Sequence, residues 1–130
     1  MKVRIWLILF MAFGLIGLVV TEHIFVTDTI NYLKTESKSL KDEIFSSENI
    51  NTDSLKIKIK ALDENWRKKE NTLCLIVNHK DMEKVGEQIE KLKVLIEQDK
   101  KEEAEYEAQL LVYFVEGYEH FIAVSFQNIF

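Results

Sequence analysis

The sequence predicts an all-α fold, an N-terminal transmembrane helix followed by an antiparallel helical bundle of about four helices. Three observations carry that expectation. The chain of 130 residues has no proline and only four glycines, and two of those, Gly14 and Gly17, lie inside an N-terminal apolar run. The remainder of the chain is poor in turn chemistry and rich in Glu, Lys, Leu, Gln and Ala, all good helix formers. The apolar run itself is long and free of charge, and beyond it apolar residues recur at helical spacing in four separate stripes.

The N-terminal stretch MKVRIWLILFMAFGLIGLVVTEH sets Lys2 and Arg4 before the unbroken apolar segment Ile5 to Val20. As a helix this segment is about 24 Å long, or about 28 Å if Val3 to Thr21 are counted, against a hydrocarbon core of about 30 Å. A cleaved signal peptide would have a shorter apolar region and an A-x-A-like site. Here the only small-residue candidate is Val19-Val20-Thr21, so the segment is expected to stay as a signal-anchor over residues 5–21. Ile5, Trp6, Phe10, Gly14, Gly17 and Val20 mark it, with Trp6 placed as an interfacial aromatic. The cations on one side, against Glu22 and Asp28 on the other, orient it by the positive-inside rule. Residues 1–4 then form a cytoplasmic stub and residues 22–130 an extracytoplasmic domain on the cell membrane.

Each soluble helix has its own stripe. Ile30, Leu33, Ser37, Leu40 and Ile44 run at heptad spacing, with Thr27 or Asp28 as a possible cap, or with the helix continuing directly from the membrane segment. The polar stretch SSENINTDS reads as a turn that ends with Asn51, Thr52 or Asp53 at the next N-cap. Leu55, Ile59, Leu62, Trp66, Leu73 and Val77 form the second stripe. The third, Met82, Val85, Ile89, Leu92 and Ile96, is rotated from the second, which requires a break near Asn78-His79-Lys80-Asp81, where Asn78 can cap a new helix. A turn near Gln98-Asp99-Lys100 separates the third helix from the fourth, although a continuous helix through this point would keep phase.

The C-terminal LLVYFVEGYEHFIAVSFQNIF raises the question of a second membrane span. Glu116 and Glu119 would lie near the bilayer midplane at about 2.5–3.5 kcal/mol each, which offsets the gain from about a dozen apolar residues. An amphipathic helix is the better account, with Glu105, Gln109, Glu116, His120 and Gln127 on one face. Leu110, Leu111, Phe114, Tyr118, Phe121, Ile122 and Ser125 are expected on the other, buried face.

From Trp66 onward the segments WRKKENTLCLIVNHKDMEKV, IEKLKVLIEQDKKEEA, VEGYEHF and the terminal SFQNIF resemble a family of small single-pass helical proteins of Firmicutes, domain of unknown function 4363. Its most specific pieces here are Trp66 to His79, Asp99-Lys100 and Asn128-Ile129-Phe130. The resemblance implies a fold and a membrane location. It brings no catalytic or binding residues.

The net charge is -5, and the part after Lys2 and Arg4 is more acidic still, which argues against a nucleic-acid or anionic-lipid surface as the main partner. Cys74 is the single cysteine, so it makes no intramolecular disulfide; it reads as a packed thiol, with no histidine close enough in sequence to suggest a nucleophile. His79 and His120 with Glu116 or Glu119 fall short of the three or four converging ligands a metal needs. Phosphate loops, zinc patterns and hydrolase elbows do not occur. No enzyme, cofactor or metal is expected. Trp66, His79, Phe114, Tyr118, Phe121 and Phe130 are the core or interaction candidates. The expected role is an accessory or interaction protein, with the lipid bilayer and another membrane or envelope protein as partners. The alternatives are a coiled-coil scaffold resembling small bitopic division proteins and a ligand-sensing bundle.

Overall fold

Four helices account for nearly all of the computed structural model, which describes residues 1–127; the side chains of residues 125–127, Ser125 and Gln127 among them, and the whole of residues 128–130, with Phe130, fall outside the described residues. They are α1 (Lys2–Ser46), α2 (Asp53–Ile76), α3 (His79–Glu97) and α4 (Lys101–Gln127). No strand occurs among the described residues. The helices run up and down around a ring. Each packs on its neighbour in sequence, and α4 closes the ring on α1, while the diagonal pairs α1/α3 and α2/α4 do not meet.

The three predicted stripes of the first helices are the core. Ile30, Leu33, Ser37, Leu40 and Ile44 of α1 are buried, as are Leu55, Ile59, Leu62, Trp66 and Leu73 of α2 and all five apolar positions of the α3 stripe. Regular spacing is legible because each helix is buried on one face only, and the period of 3.6 residues then decides which side chains meet. No cap forms at Thr27 or Asp28, since α1 passes through them unbroken over 45 residues. Its length is about 67 Å at 1.5 Å per residue. Thr52 is the N-cap of α2 and accepts from the Leu55 amide at 3.3 Å. Asn78 is the N-cap of α3 and accepts from the Lys80 amide at 3.1 Å, so the required break falls at Val77-Asn78.

The turn between α3 and α4 is real and has a physical cause. Asp99 sits in the left-handed region at φ 54°, a conformation that stops a helix and that aspartate tolerates better than most residues. Its Oδ1 accepts from the amides of Ile50 at 2.8 Å and Asn51 at 3.2 Å. Asn51 in return donates from Nδ2 to the Glu97 carbonyl at 3.0 Å. The α1–α2 and α3–α4 connections are thereby clasped together at one end of the bundle, over the fully buried Ile50.

On α4 the expected buried face is displaced. Ala104, Ala108, Leu111, Val112 and Val115 are buried, whereas Phe121 is 64% exposed. Leu110, Phe114, Tyr118 and Ile122 are half-buried. The core line is turned by roughly 100° from Phe121. Large aromatic side chains dominate a pattern read by hydrophobicity, but the helix approaches its neighbours through alanines, whose small side chains let backbones come close.

Surface charge ties neighbouring helices to one another as well as single helices internally. Lys34 and Lys38 of α1 reach Glu119 and Glu116 of α4 at 2.5 and 2.7 Å. Lys93 of α3 lies 3.6 Å from the buried Asp63 of α2, which also accepts from Arg67 at 2.8 Å. Lys101 pairs with Glu105 rather than Glu97, because the turn at Asp99 puts residues 97 and 101 on different helices.

Candidate functional site

Three exposed features could meet something outside the bundle. The first is the bare half of α1. Trp6 and Phe10 are 73% and 78% exposed, and a Cβ placed on Gly14 or Gly17 would meet nothing within 4 Å. Ile5 and Val20 are exposed as well. This is a helix long and apolar enough to cross a membrane: its apolar stretch of 18 residues has a mean hydropathy of 2.5, and none of that stretch is covered by the rest of the chain. Burial begins at Val26, so a single helix changes from wholly bare to core-forming within about two turns.

The second is a groove of about 580 Å³ between α4 and the α2–α3 turn, lined by Phe114, Gly117, Phe121, Tyr113, Val77 and Asp81 among others. That volume is within the range of about 300–1,000 Å³ that small ligands occupy, but the groove is open and mostly apolar. Tyr118 fixes its upper edge, donating its hydroxyl to the Asp81 carbonyl at 2.8 Å. Partial burial, and then the Asp81 carboxylate, push the Tyr118 phenol up to about 12.

The third is the α2–α3 turn itself. The break at Asn78 folds His79 back on the last turn of α2, so its Nδ1 lies 3.1 Å from Cys74 Sγ. Its Nε2 lies 2.8 Å from Glu83 Oε1. The expectation that Cys74 has no histidine near it is therefore wrong. Spacing of five residues is out of reach within one helix, and it is the break that brings the pair together, so a reading of helix faces passes over it. The order thiol, imidazole, carboxylate resembles that of a nucleophile with its base and orienting acid. Its electrostatics oppose that role. Burial, followed by the Glu70 and Glu83 carboxylates, raises the Cys74 thiol, which disfavours the thiolate that would do the chemistry.

Trp66 belongs to the core, only 2% exposed. Its indole edge lies against α3 at Gly86, where an added Cβ would come within 3.1 Å of Nε1. The bare backbone there is what lets so large a side chain sit between α2 and α3. His120 is exposed on α4. No group of three or more His, Cys, Asp or Glu side chains is placed to hold a metal among the described residues.

A family model, domain of unknown function 4363, matches residues 22–129. The chain belongs to this family. The match starts where the apolar segment of α1 stops and takes in the whole bundle, the Asp99 clasp and the Cys74–His79 turn included. No curated protein and no solved structure matches the chain.

Proposed function

We propose that this member of the family is a membrane-anchored accessory protein that acts by contact rather than catalysis. It holds its helical bundle at the outer face of the cytoplasmic membrane and engages another membrane or envelope protein there. The observation that carries this reading is the continuity of α1, which runs without a break from an uncovered apolar segment into the core of the bundle. A stiff anchor of this kind transmits position and orientation, which suits a binding role. Lys2 and Arg4 before the segment, with acidic residues after it, support an N-terminus in the cytoplasm. Gly14 and Gly17, open to their surroundings, support close approach of a second helix within the bilayer. The scaffold alternative needs partner helices to cover Ile30, Leu33, Leu40 and Ile44, but the chain covers all four itself, to 3% exposure or less.

Impermeant thiol labelling tests the topology. In a Cys74→Ala background, Asn49→Cys on intact cells lacking an outer barrier is expected to react, and labelling only after lysis would reverse the orientation. Affinity capture from mildly solubilised membranes tests the role. A membrane protein that co-purifies with the parent chain and is lost with Phe121→Ala supports the interaction reading; capture of none refutes it.

A further inference from the structure

The height of the bundle above its anchor can be counted. Lys58 of α2 donates to Ser39 of α1 at 3.1 Å and pairs with Glu43, while Lys69 lies over the Tyr32 ring, 5.4 Å from its centroid. Each step along α2 is thus matched by a step back along α1. Carried on in that antiparallel register, the last turn of α2 comes level with about residues 24–28 of α1. The register of α4, set by the Lys38–Glu116 and Lys34–Glu119 pairs, brings the end of that helix down to much the same level. His23 and Thr27 of α1 accordingly share a recess with Ile122 and Ala123 of α4.

The bilayer reaches the same height from the other side. A hydrocarbon core of about 30 Å takes up about 20 residues of straight helix, from residue 3 to about residue 22, and the headgroup region adds roughly 5–7 Å, or about four residues more. No stalk separates the bundle from the lipid. The side chains at this end suit such a position. Leu75 is 87% exposed, Ile76 40%, Ile24 54% and Val124 41%, with Phe121 at 64% one turn higher. At the opposite end the clasp encloses Ile50, which is fully buried, and the exposed apolar residues there are Phe45 and Ile57.

We propose that the base of the bundle, the α2–α3 turn with Leu75 and Ile76 together with Val124 of α4 and Ile24 of α1, rests in the headgroup layer of the outer leaflet. It forms a second lipid contact beside the anchor. This rests on the anchored reading above. Leaflet contact at two helices away from α1 holds the bundle axis near the membrane normal and fixes the direction in which the Phe114–Phe121 groove faces. The bilayer is the chosen occupant because the rigid continuity of α1 leaves lipid, not open water, under these side chains.

Nitroxide labels on the full chain in phosphatidylcholine vesicles, in a Cys74→Ser background, test this. Leu75→Cys and Val124→Cys are expected to be more accessible to oxygen than to a water-soluble nickel chelate, as Phe10→Cys in the anchor must be. Ile57→Cys at the far end of the bundle should show the reverse. Both labels are on exposed sites, and circular dichroism confirms that each variant is folded. If Phe10→Cys reports lipid but Leu75→Cys and Val124→Cys both report water, the leaflet contact is wrong and the anchor stands. A Phe10→Cys label in water overturns the anchored reading itself. Labels shielded from both reagents, with spin–spin broadening that vanishes on dilution with unlabelled protein, would replace lipid by a second copy of the chain.

Discussion

The two ends of the bundle are built in opposite ways. At the end far from the bare half of α1, both connections are tied by Asp99, through two amides of the 47–52 segment, and by the return bond from Asn51. At the other end one phenol–carbonyl bond from Tyr118 joins α4 to α3, and Leu75, Phe121 and Val124 stand exposed. The difference separates two demands on the same sequence. One end satisfies its own backbone through the clasp, although Phe45 and Ile57 stand exposed beside it, and the other carries the more exposed apolar group of Leu75 and Phe121 with fewer backbone ties. Exposed apolar residues scattered singly would need no explanation, but a cluster at one end of a small bundle does.

The largest expected effect separates core from contact surface. Trp66→Ala should cost about 3–5 kcal/mol, since it empties a large buried site, and a domain this size has only about 5–15 kcal/mol in all. Phe121→Ala should change stability by no more than about 0.5 kcal/mol, as an exposed side chain does. Thermal unfolding of both variants checks this. A cost from Phe121→Ala approaching that of Trp66→Ala would mean that the aromatic stripe of α4 is core, and the contrast between the two ends would collapse.

That pair also marks what the sequence makes legible. On the bundle part of α1, on α2 and on α3 the stripes follow from spacing, because the apolar residues that recur at helical spacing there are the buried ones, while Phe45, Ile57, Leu75 and Val94, which fall off the stripes, are exposed. On α4 the same procedure weights Phe114 and Phe121 above Ala104 and Ala108, so the predicted face takes in Leu111, Tyr118 and Ile122 correctly but is turned toward the exposed Phe121 and away from the alanines. The turn at Asp99 is foreseeable from the polar residues around it, but not the long-range bonds that give it its purpose, since residues 50 and 99 share no periodicity. The Cys74–His79 pair depends on the chain reversing between two helices. Spacing rules that assume a continuous helix cannot see it.

The distal clasp gives the next effect. Asp99→Ala removes the acceptor for two backbone amides and leaves a residue that dislikes positive φ, so a loss of about 1–3 kcal/mol is expected. Asp99→Asn keeps an acceptor and tolerates the left-handed conformation, so denaturant unfolding should place it between the parent and the alanine variant. If alanine and asparagine cost the same, conformation at residue 99 is not what matters there. If neither costs anything, the clasp is only a consequence of packing elsewhere.

A smaller effect than that of the clasp is expected at the open end from Tyr118, and it depends on pH. Tyr118→Phe deletes one hydrogen bond to the Asp81 carbonyl, and a single neutral bond contributes about 0.5–1.5 kcal/mol. The folded chain holds the Tyr118 phenol up to about 12 from an ordinary 10.0. The fold therefore prefers the neutral form, and its contribution is present in full below pH 10 and is lost as pH rises toward 12. Lysines also titrate in this range, so the informative quantity is the difference in unfolding free energy between the parent and Tyr118→Phe. That difference should be constant from pH 7 to about pH 10 and shrink above it. A difference that grows with pH would mean that the phenolate is stabilised in the folded state, with a cation near Tyr118 in solution in place of the Asp81 carbonyl.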